Sequence, residues 1–212
     1  MKKTIKILFK PILPKALFNF KDRIIEKKQY KIWKENGCPN PPPHIVKQII
    51  ISEYQQKYKY ETLVETGTYK GDMVAAQKKR FQQIYSIELG TDLFRMAKKR
   101  FRKDKNVTIL QGDSGNVLPV ILKDLKEPAI FWLDGHYSAG LTAKGDKECP
   151  IFEELDGIFN NRKFDHVVLI DDARCFNGNG DYPTIEQLSN YIKGKDEKYH
   201  IEINNDIIRV TI

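Results

Sequence analysis

The chain has 212 residues, enough for one domain with a substantial core and short for two. Its formal charge of +8 is unevenly placed: residues 1–50 carry twelve Lys or Arg against three acids, so the remainder is close to neutral. That distribution argues against a nucleic-acid-binding body, and no apolar run approaches the length that spans a bilayer.

The start, MKKTIKILFKPILPKALFNF, is basic and apolar. Lys10, Pro11, Pro14 and Lys15 interrupt it and no small-residue cleavage site follows, so it does not read as a signal peptide. Such an arm can rest on an anionic membrane surface through Ile5, Ile7, Leu8, Phe9, Ile12, Leu13, Leu17, Phe18 and Phe20, or pack on its own domain or on the partner subunit of a homo-oligomer. Residues 21–36 are helix-permissive, with Ile24, Ile25, Tyr30 and Trp33 as the expected inner face. NGCPNPPPH (36–44) then forms an extended connector, because Gly37 and four prolines stop any helix. His44 to Tyr58 reads as a helix with Ile45, Val46, Ile49, Ile50 and Ile51 inside. Residues 1–59 are thus expected to be a basic helical extension with a Pro-rich connector, and residues 60–212 the main domain.

From residue 60 the pattern is regular. TLVET (62–66) reads as a strand, MVAAQKKRF (73–81) as a helix, QIYSIEL (83–89) as a strand and LFRMAKKRF (93–101) as a helix. VTIL (107–110) is a third strand, followed by a helix through VLPVILKDL. AIFWLD (129–134) and HVVLID (166–171) are the fourth and fifth strands. Strands alternating with helices at this spacing predict a parallel α/β sheet. The tail, YHIEI-NND-IIRVTI, has two alternating segments around a turn and predicts an antiparallel hairpin. Cys38, Cys149 and Cys175 show no CxxC spacing, so neither a disulfide framework nor a zinc site is expected and a cytoplasmic location is the default.

The turn after the first strand is Glu65-Thr66-Gly67-Thr68-Tyr69-Lys70-Gly71. Its glycines let backbone approach a ligand, although Tyr69 stands where the GxGxxG fingerprint requires glycine. Glu88 closes the second strand, at the distance from which a carboxylate accepts from a ribose diol. Gly112-Asp113-Ser114 follows the third, where a carboxylate can accept from the exocyclic amine of adenine. Three acids at successive strand exits around a Gly turn describe a cleft for a nucleoside-bearing ligand.

ETGTYKG, IYSIELG and LQGDSG together resemble the first three motifs of class I S-adenosylmethionine-dependent methyltransferases, over roughly residues 60–212. The resemblance implies a Rossmann-like α/β sheet of order 3-2-1-4-5-7-6 with the last strand antiparallel and helices on both faces. It also implies that Glu65, Gly67, Thr68 and Gly71 line the methionine and sugar of the cofactor. Glu88 would bind the ribose hydroxyls, Asp113 and Ser114 the adenine, and Asp134 would border the same cofactor.

Asp134 ends the fourth strand, and Asp171 with Asp172 ends the fifth. Ligands sit beyond the carboxyl ends of parallel strands, so the three carboxylates are expected to share one crevice. Crowded carboxylates are poorly tolerated unless a cation joins them, and a hard divalent ion such as Mg²⁺ takes oxygen ligands. An Asp closing strand four with an acidic pair closing strand five resembles the Mg²⁺-dependent O-methyltransferases that act on catechols and macrolide sugars. That likeness implies a small-molecule or sugar acceptor whose hydroxyl the metal activates. His136 is the candidate general base beside Asp134, its ordinary pKa suiting that task. The catechol enzymes carry a lysine three residues after that aspartate, where this chain has Tyr137. Arg174 either holds an anionic group of the substrate or pairs with Asp172, and SAGLTAKGDKECPIFEEL (138–155) reads as a cover over the acceptor. His166 and His200 are expected to be structural.

The expected activity is therefore transfer of a methyl group from S-adenosylmethionine to a hydroxyl. Two rivals stand beside it: a metal-independent or nucleic-acid methyltransferase, and a non-catalytic, membrane-peripheral binding module.

Overall fold

The computed structural model describes residues 15–135, 149–160 and 163–212, with side chains described from residue 24 onward. Among the described residues no helix is long and apolar enough to cross a membrane.

Two helices precede the sheet: α1 (Lys15–Glu35) and α2 (His44–Tyr58). The alternating body follows as β1 (Thr62–Thr66), α3 (Asp72–Gln77), β2 (Gln83–Glu88), α4 (Thr91–Phe101), β3 (Val107–Gln111), α5 (Ser114–Asp124) and β4 (Ala129–Leu133). It is completed by α6 (Ile151–Asn160), β5 (Val167–Ile170), α7 (Ile185–Lys195), β6 (His200–Asn204) and β7 (Ile207–Thr211). The seven strands form one sheet in the order β3-β2-β1-β4-β5-β7-β6. Strands β1 to β5 pair in parallel, whereas β7 runs antiparallel to both β5 and β6. Sheet order and reversed hairpin agree with the expectation from the motifs.

Period-2 alternation sorts the strand side chains to two cores. On one face Val64, Phe131, Leu133, Val168 and Ile170 pack with Leu118 and Leu122 of α5, Leu155 and Ile158 of α6, and Leu188 and Ile192 of α7. On the other, Leu63, Ile130, Trp132, Val167 and Leu169 meet Val46, Ile50 and Ile51 of α2, Met73 and Val74 of α3, and Ala97 and Phe101 of α4. Continuous apolar runs such as VVLI and AIFWL are thus strands covered on both faces, as in parallel sheets generally. Helix α7 opens on a capping box: Thr184 Oγ1 accepts from Gln187 N at 3.1 Å, and Gln187 Oε1 accepts from Thr184 N at 2.8 Å.

The proposed boundary at residue 59 separates chain segments that share a core, since Ile50 and Ile51 of α2 are buried beside Ile84 and Trp132 of the sheet. Helix α1 departs from expectation. Trp33 is buried and its Nε1 donates to the Pro39 carbonyl at 2.8 Å, but Ile24 and Ile25 are 52% and 53% exposed. Among the described residues α1 runs beside α2, whose own apolar residues face the sheet. The connector is anchored as well: Pro42 is buried. Helix α3 is six residues long, against the expected span of 73–81.

Candidate functional site

The carboxyl ends of β1, β2, β4 and β5 are stitched to one another by their backbones. Gly67 N and Thr68 N both donate to the Ile87 carbonyl, at 3.0 and 3.1 Å, Asp134 N donates to Thr66 O at 3.2 Å, and Asp171 N donates to Leu133 O at 3.0 Å. This fixes one edge along which Glu65, Glu88, Asp134 and Asp171 are placed.

The turn after β1 requires its glycines. Gly67 and Gly71 have φ of +83° and +76°, and Tyr69, which is not glycine, also lies in the left-handed region at +48°. A β-carbon on Gly67 would lie 2.2 Å from the Asp134 carbonyl oxygen, so turn and β4 exit interlock without spare room. Glu88 is buried and braces the turn: its Oε2 accepts from Tyr69 N at 2.7 Å, and its Oε1 accepts from Gly90 N at 2.8 Å. With both oxygens fixed and lone pairs remaining, this carboxylate is held ready to accept from a vicinal diol.

Glu65 lies deeper, 2% exposed, and accepts from Ser86 Oγ, whose oxygen also shares a hydrogen bond with Thr68 Oγ1 at 2.6 Å. Burial pushes its carboxyl up to about 8; the Ser86 hydrogen bond opposes that shift, and nearby Glu88 and Asp72 add to it. A protonated carboxyl is therefore a normal state of Glu65 at neutral pH. Asp113 precedes the first turn of α5, half-buried, with Asn116 Nδ2 donating to its Oδ1 at 3.4 Å, and Ser114 is buried beside it.

At the next two strand exits Asp134, Asp171 and Asp172 come together, each offering a carboxylate oxygen within 4.8 Å of the others. Asp171 is fully buried; its Oδ1 accepts from Asp172 N at 2.8 Å and its Oδ2 from Lys47 Nζ. Lys47 also donates to Asp172 Oδ1 at 3.3 Å. Burial would lower the Lys47 ammonium, but the carboxylates of Asp171, Asp134 and Asp172 outweigh it and hold its pKa above the ordinary lysine value. Burial likewise pushes the Asp171 carboxyl upward, opposed by Lys47. Asp172 adopts φ +54°, a strained conformation, and its Oδ1 is shared by Lys47 and Arg174.

Arg174 pairs with Asp172, one of the two roles its sequence position allows. Its Nη1 donates to Asp172 Oδ1 at 2.8 Å and to Asp206 Oδ2, while Arg174 N donates to Asp206 Oδ1 at 2.8 Å. Asp206 is 3% exposed and sits in the turn between β6 and β7 with φ +62°. The terminal hairpin thus anchors the loop that carries the acidic pair. His166 is buried and structural, its Nδ1 accepting from Ala129 N at 3.1 Å. His136, Tyr137 and residues 138–148 of the expected cover lie outside the described residues.

Lys47 and Asp206 were not anticipated. The signal for Lys47 was present, since its i+3 and i+4 neighbours are Ile50 and Ile51, which face the core. Nothing local marks Asp206, whose partner Arg174 is 32 residues away.

The donor chemistry of the cluster fits a divalent ion: three hard oxygen ligands converge at the mouth of a parallel sheet. The Lys47 ammonium shares the same oxygens.

No protein-family model matches this sequence, and no curated protein does. Solved structures do match in fold. The O-methyltransferase TomG from Streptomyces achromogenes, involved in tomaymycin synthesis and solved with SAM, is 13% identical with a TM-score of 0.59, over 88% of each chain. The methyltransferase PaMTH1 of Podospora anserina, bound to SAH, is 14% identical with a TM-score of 0.57, covering 96% of this chain and 99% of its own. An O-methyltransferase from Bacillus cereus, in complex with SAH, is 10% identical with a TM-score of 0.57, covering 88% and 90%. The chain has the class I methyltransferase fold that its motifs resemble.

Proposed function

We propose that this chain is an S-adenosylmethionine-dependent methyltransferase acting on a hydroxyl of a small molecule or sugar, with a divalent ion, Mg²⁺, at Asp134, Asp171 and Asp172. One observation carries the reading: Glu65, Glu88 and Asp113 follow one another at the exits of β1, β2 and β3, and the carboxylate cluster occupies the adjoining exits of β4 and β5. The first group suits a nucleoside, the second a cation and the oxygens it holds. Solved proteins of this fold that carry SAM or SAH, described as O-methyltransferases, support the same assignment.

S-adenosylmethionine supplies an electrophilic methyl on a sulfonium. The residues supply position. Glu88 would accept from the ribose hydroxyls, Asp113 with Ser114 would meet the adenine, and the turn Gly67–Gly71 would let the cofactor lie against backbone. Oriented reactants account for much of the rate of such an in-line displacement. The acceptor oxygen takes the methyl, its proton leaves to a base, and the sulfonium becomes a thioether. His136 is the proposed base. A divalent ion at the cluster would lower the pKa of the acceptor hydroxyl.

A second reading, transfer without a divalent ion, is favoured by Lys47, which already supplies positive charge to Asp171 and Asp172. Transfer of labelled methyl from S-adenosylmethionine to catechol-type and sugar hydroxyls, with Mg²⁺ and then with chelator, tests both. Transfer that chelator abolishes supports the metal-assisted reading, and transfer indifferent to chelator the second. Cofactor binding without transfer to any acceptor would favour a non-catalytic module.

A further inference from the structure

We propose that Lys47 is the built-in cation of the Asp134–Asp171–Asp172 cluster, and that its ammonium and a divalent ion are alternative occupants of the same carboxylate oxygens.

The placement of Lys47 is fixed by packing. It sits on α2 between Val46 and Ile50, both 3% exposed, in a helix held on the sheet by Ile51, which is wholly buried. Its side chain is 16% exposed and reaches across 124 residues of sequence to Asp171. A lysine on a solvated face would keep its ammonium in water; this one is directed inward, to a carboxylate with no solvent exposure.

The oxygens of the cluster explain why the two cations exclude one another. Asp171 Oδ1 accepts from the Asp172 N–H, and Lys47 holds Oδ2. Asp172 Oδ1 accepts from both Lys47 and Arg174. A metal drawing on Asp171 Oδ2 and Asp172 Oδ1 must displace the ammonium, since two cations within contact distance in a partly desolvated site repel strongly. Arg174 does not compete in the same way, because its guanidinium is also tied to the buried Asp206. Removing Lys47 would leave the buried Asp171 without its cation.

The inference rests on reading the cluster as a cation site and not on methyl transfer, so its test contains no methyl donor or acceptor. Free Mn²⁺ is followed by electron paramagnetic resonance during titration of the wild-type chain, Lys47→Met, Lys47→Arg and the double variant Lys47→Met/Asp171→Asn, with melting curves in parallel. Lys47→Met is expected to bind Mn²⁺ at least tenfold more tightly than wild type. It should melt lower than wild type without metal and recover with Mn²⁺ or Mg²⁺, but not with NaCl of equal ionic strength. Lys47→Arg keeps a cation in place and is expected to stay within about threefold of wild type, a difference small against the tenfold step of 1.4 kcal/mol. The double variant removes both charges, should recover stability without metal, and should bind Mn²⁺ weakly. Mn²⁺ affinity of Lys47→Met equal to or below that of wild type would overturn the proposal. So would melting recovered equally by NaCl, or a double variant binding as tightly as Lys47→Met.

Discussion

Gly67 and Asp134 approach so closely that a β-carbon on the glycine would stand 2.2 Å from the aspartate's carbonyl oxygen. The turn that would carry the cofactor and the strand exit that opens the carboxylate cluster are thus one rigid unit. Gly67→Ala must move backbone and place an L side chain at φ +83°. It is expected to destabilise the fold by about 2–4 kcal/mol, the sum of overpacking and left-handed strain. Gly194, in α7, has nothing within 4 Å of its own built β-carbon. Gly194→Ala should stabilise by about 0.5–1 kcal/mol, and urea unfolding of the two variants reads both signs.

Glu65 gives a pH dependence of known sign. Its carboxyl is at about 8 in the fold against an ordinary 4.5. Between those values the folded chain keeps a proton that the unfolded chain has lost. Its contribution to stability is therefore complete below about 4.5 and declines as pH rises to about 8, by at most about 1.4 kcal/mol per unit. Glu65→Gln removes that slope, so its stability relative to wild type should improve between pH 5 and pH 8. A relative stability constant across that range would mean that Glu65 ionises as an exposed carboxyl does.

Asp171→Ala removes the buried carboxylate that pairs with the Lys47 ammonium. Breaking a buried pair from one side costs about 3–5 kcal/mol, and chemical unfolding should show a loss of that order. Binding of S-adenosylhomocysteine should change little, because Asp171 lies at β5, away from Glu65, Glu88 and Asp113. Any effect of Mg²⁺ on the wild-type chain should vanish in this variant.

The hairpin anchor predicts an order of severity. Asp206 accepts from both the backbone and the guanidinium of Arg174, while its backbone carbonyl accepts from Ala173 N at 2.8 Å. Arg174→Ala deletes one of the two donors to the Asp206 carboxylate and is expected to cost about 1–2 kcal/mol. Asp206→Ala leaves the Arg174 N–H without its carboxylate and should cost more. Melting temperatures in the opposite order would show that the hairpin does not brace the loop after β5.

Much of the frame was legible because the strands are covered on both faces and their apolar runs are unbroken, as in AIFWL and VVLI. Their ends are marked by acids, so Glu88, Asp134 and Asp171 could be placed at strand exits from sequence alone. Strand limits were read within a residue or two: β3 extends to Gln111, one beyond the expected 107–110. Ile24 and Ile25 misled because amphipathic spacing says which face is apolar and not whether anything covers it. The Lys47–Asp171 and Arg174–Asp206 pairs join segments brought together only by tertiary packing, 124 and 32 residues apart. Only the register of Lys47, three and four residues before Ile50 and Ile51, hinted that it faces inward, and nothing named its partner.

Calorimetric titration of S-adenosylhomocysteine into the wild-type chain and into Glu88→Ala, with folding of both checked by circular dichroism, tests the nucleoside cleft directly. The account predicts one equivalent bound by the wild-type chain and affinity at least tenfold weaker in the variant, which loses charge-assisted acceptance of the ribose hydroxyls. Absence of binding to the folded wild-type chain, or equal affinity in the two, would contradict it.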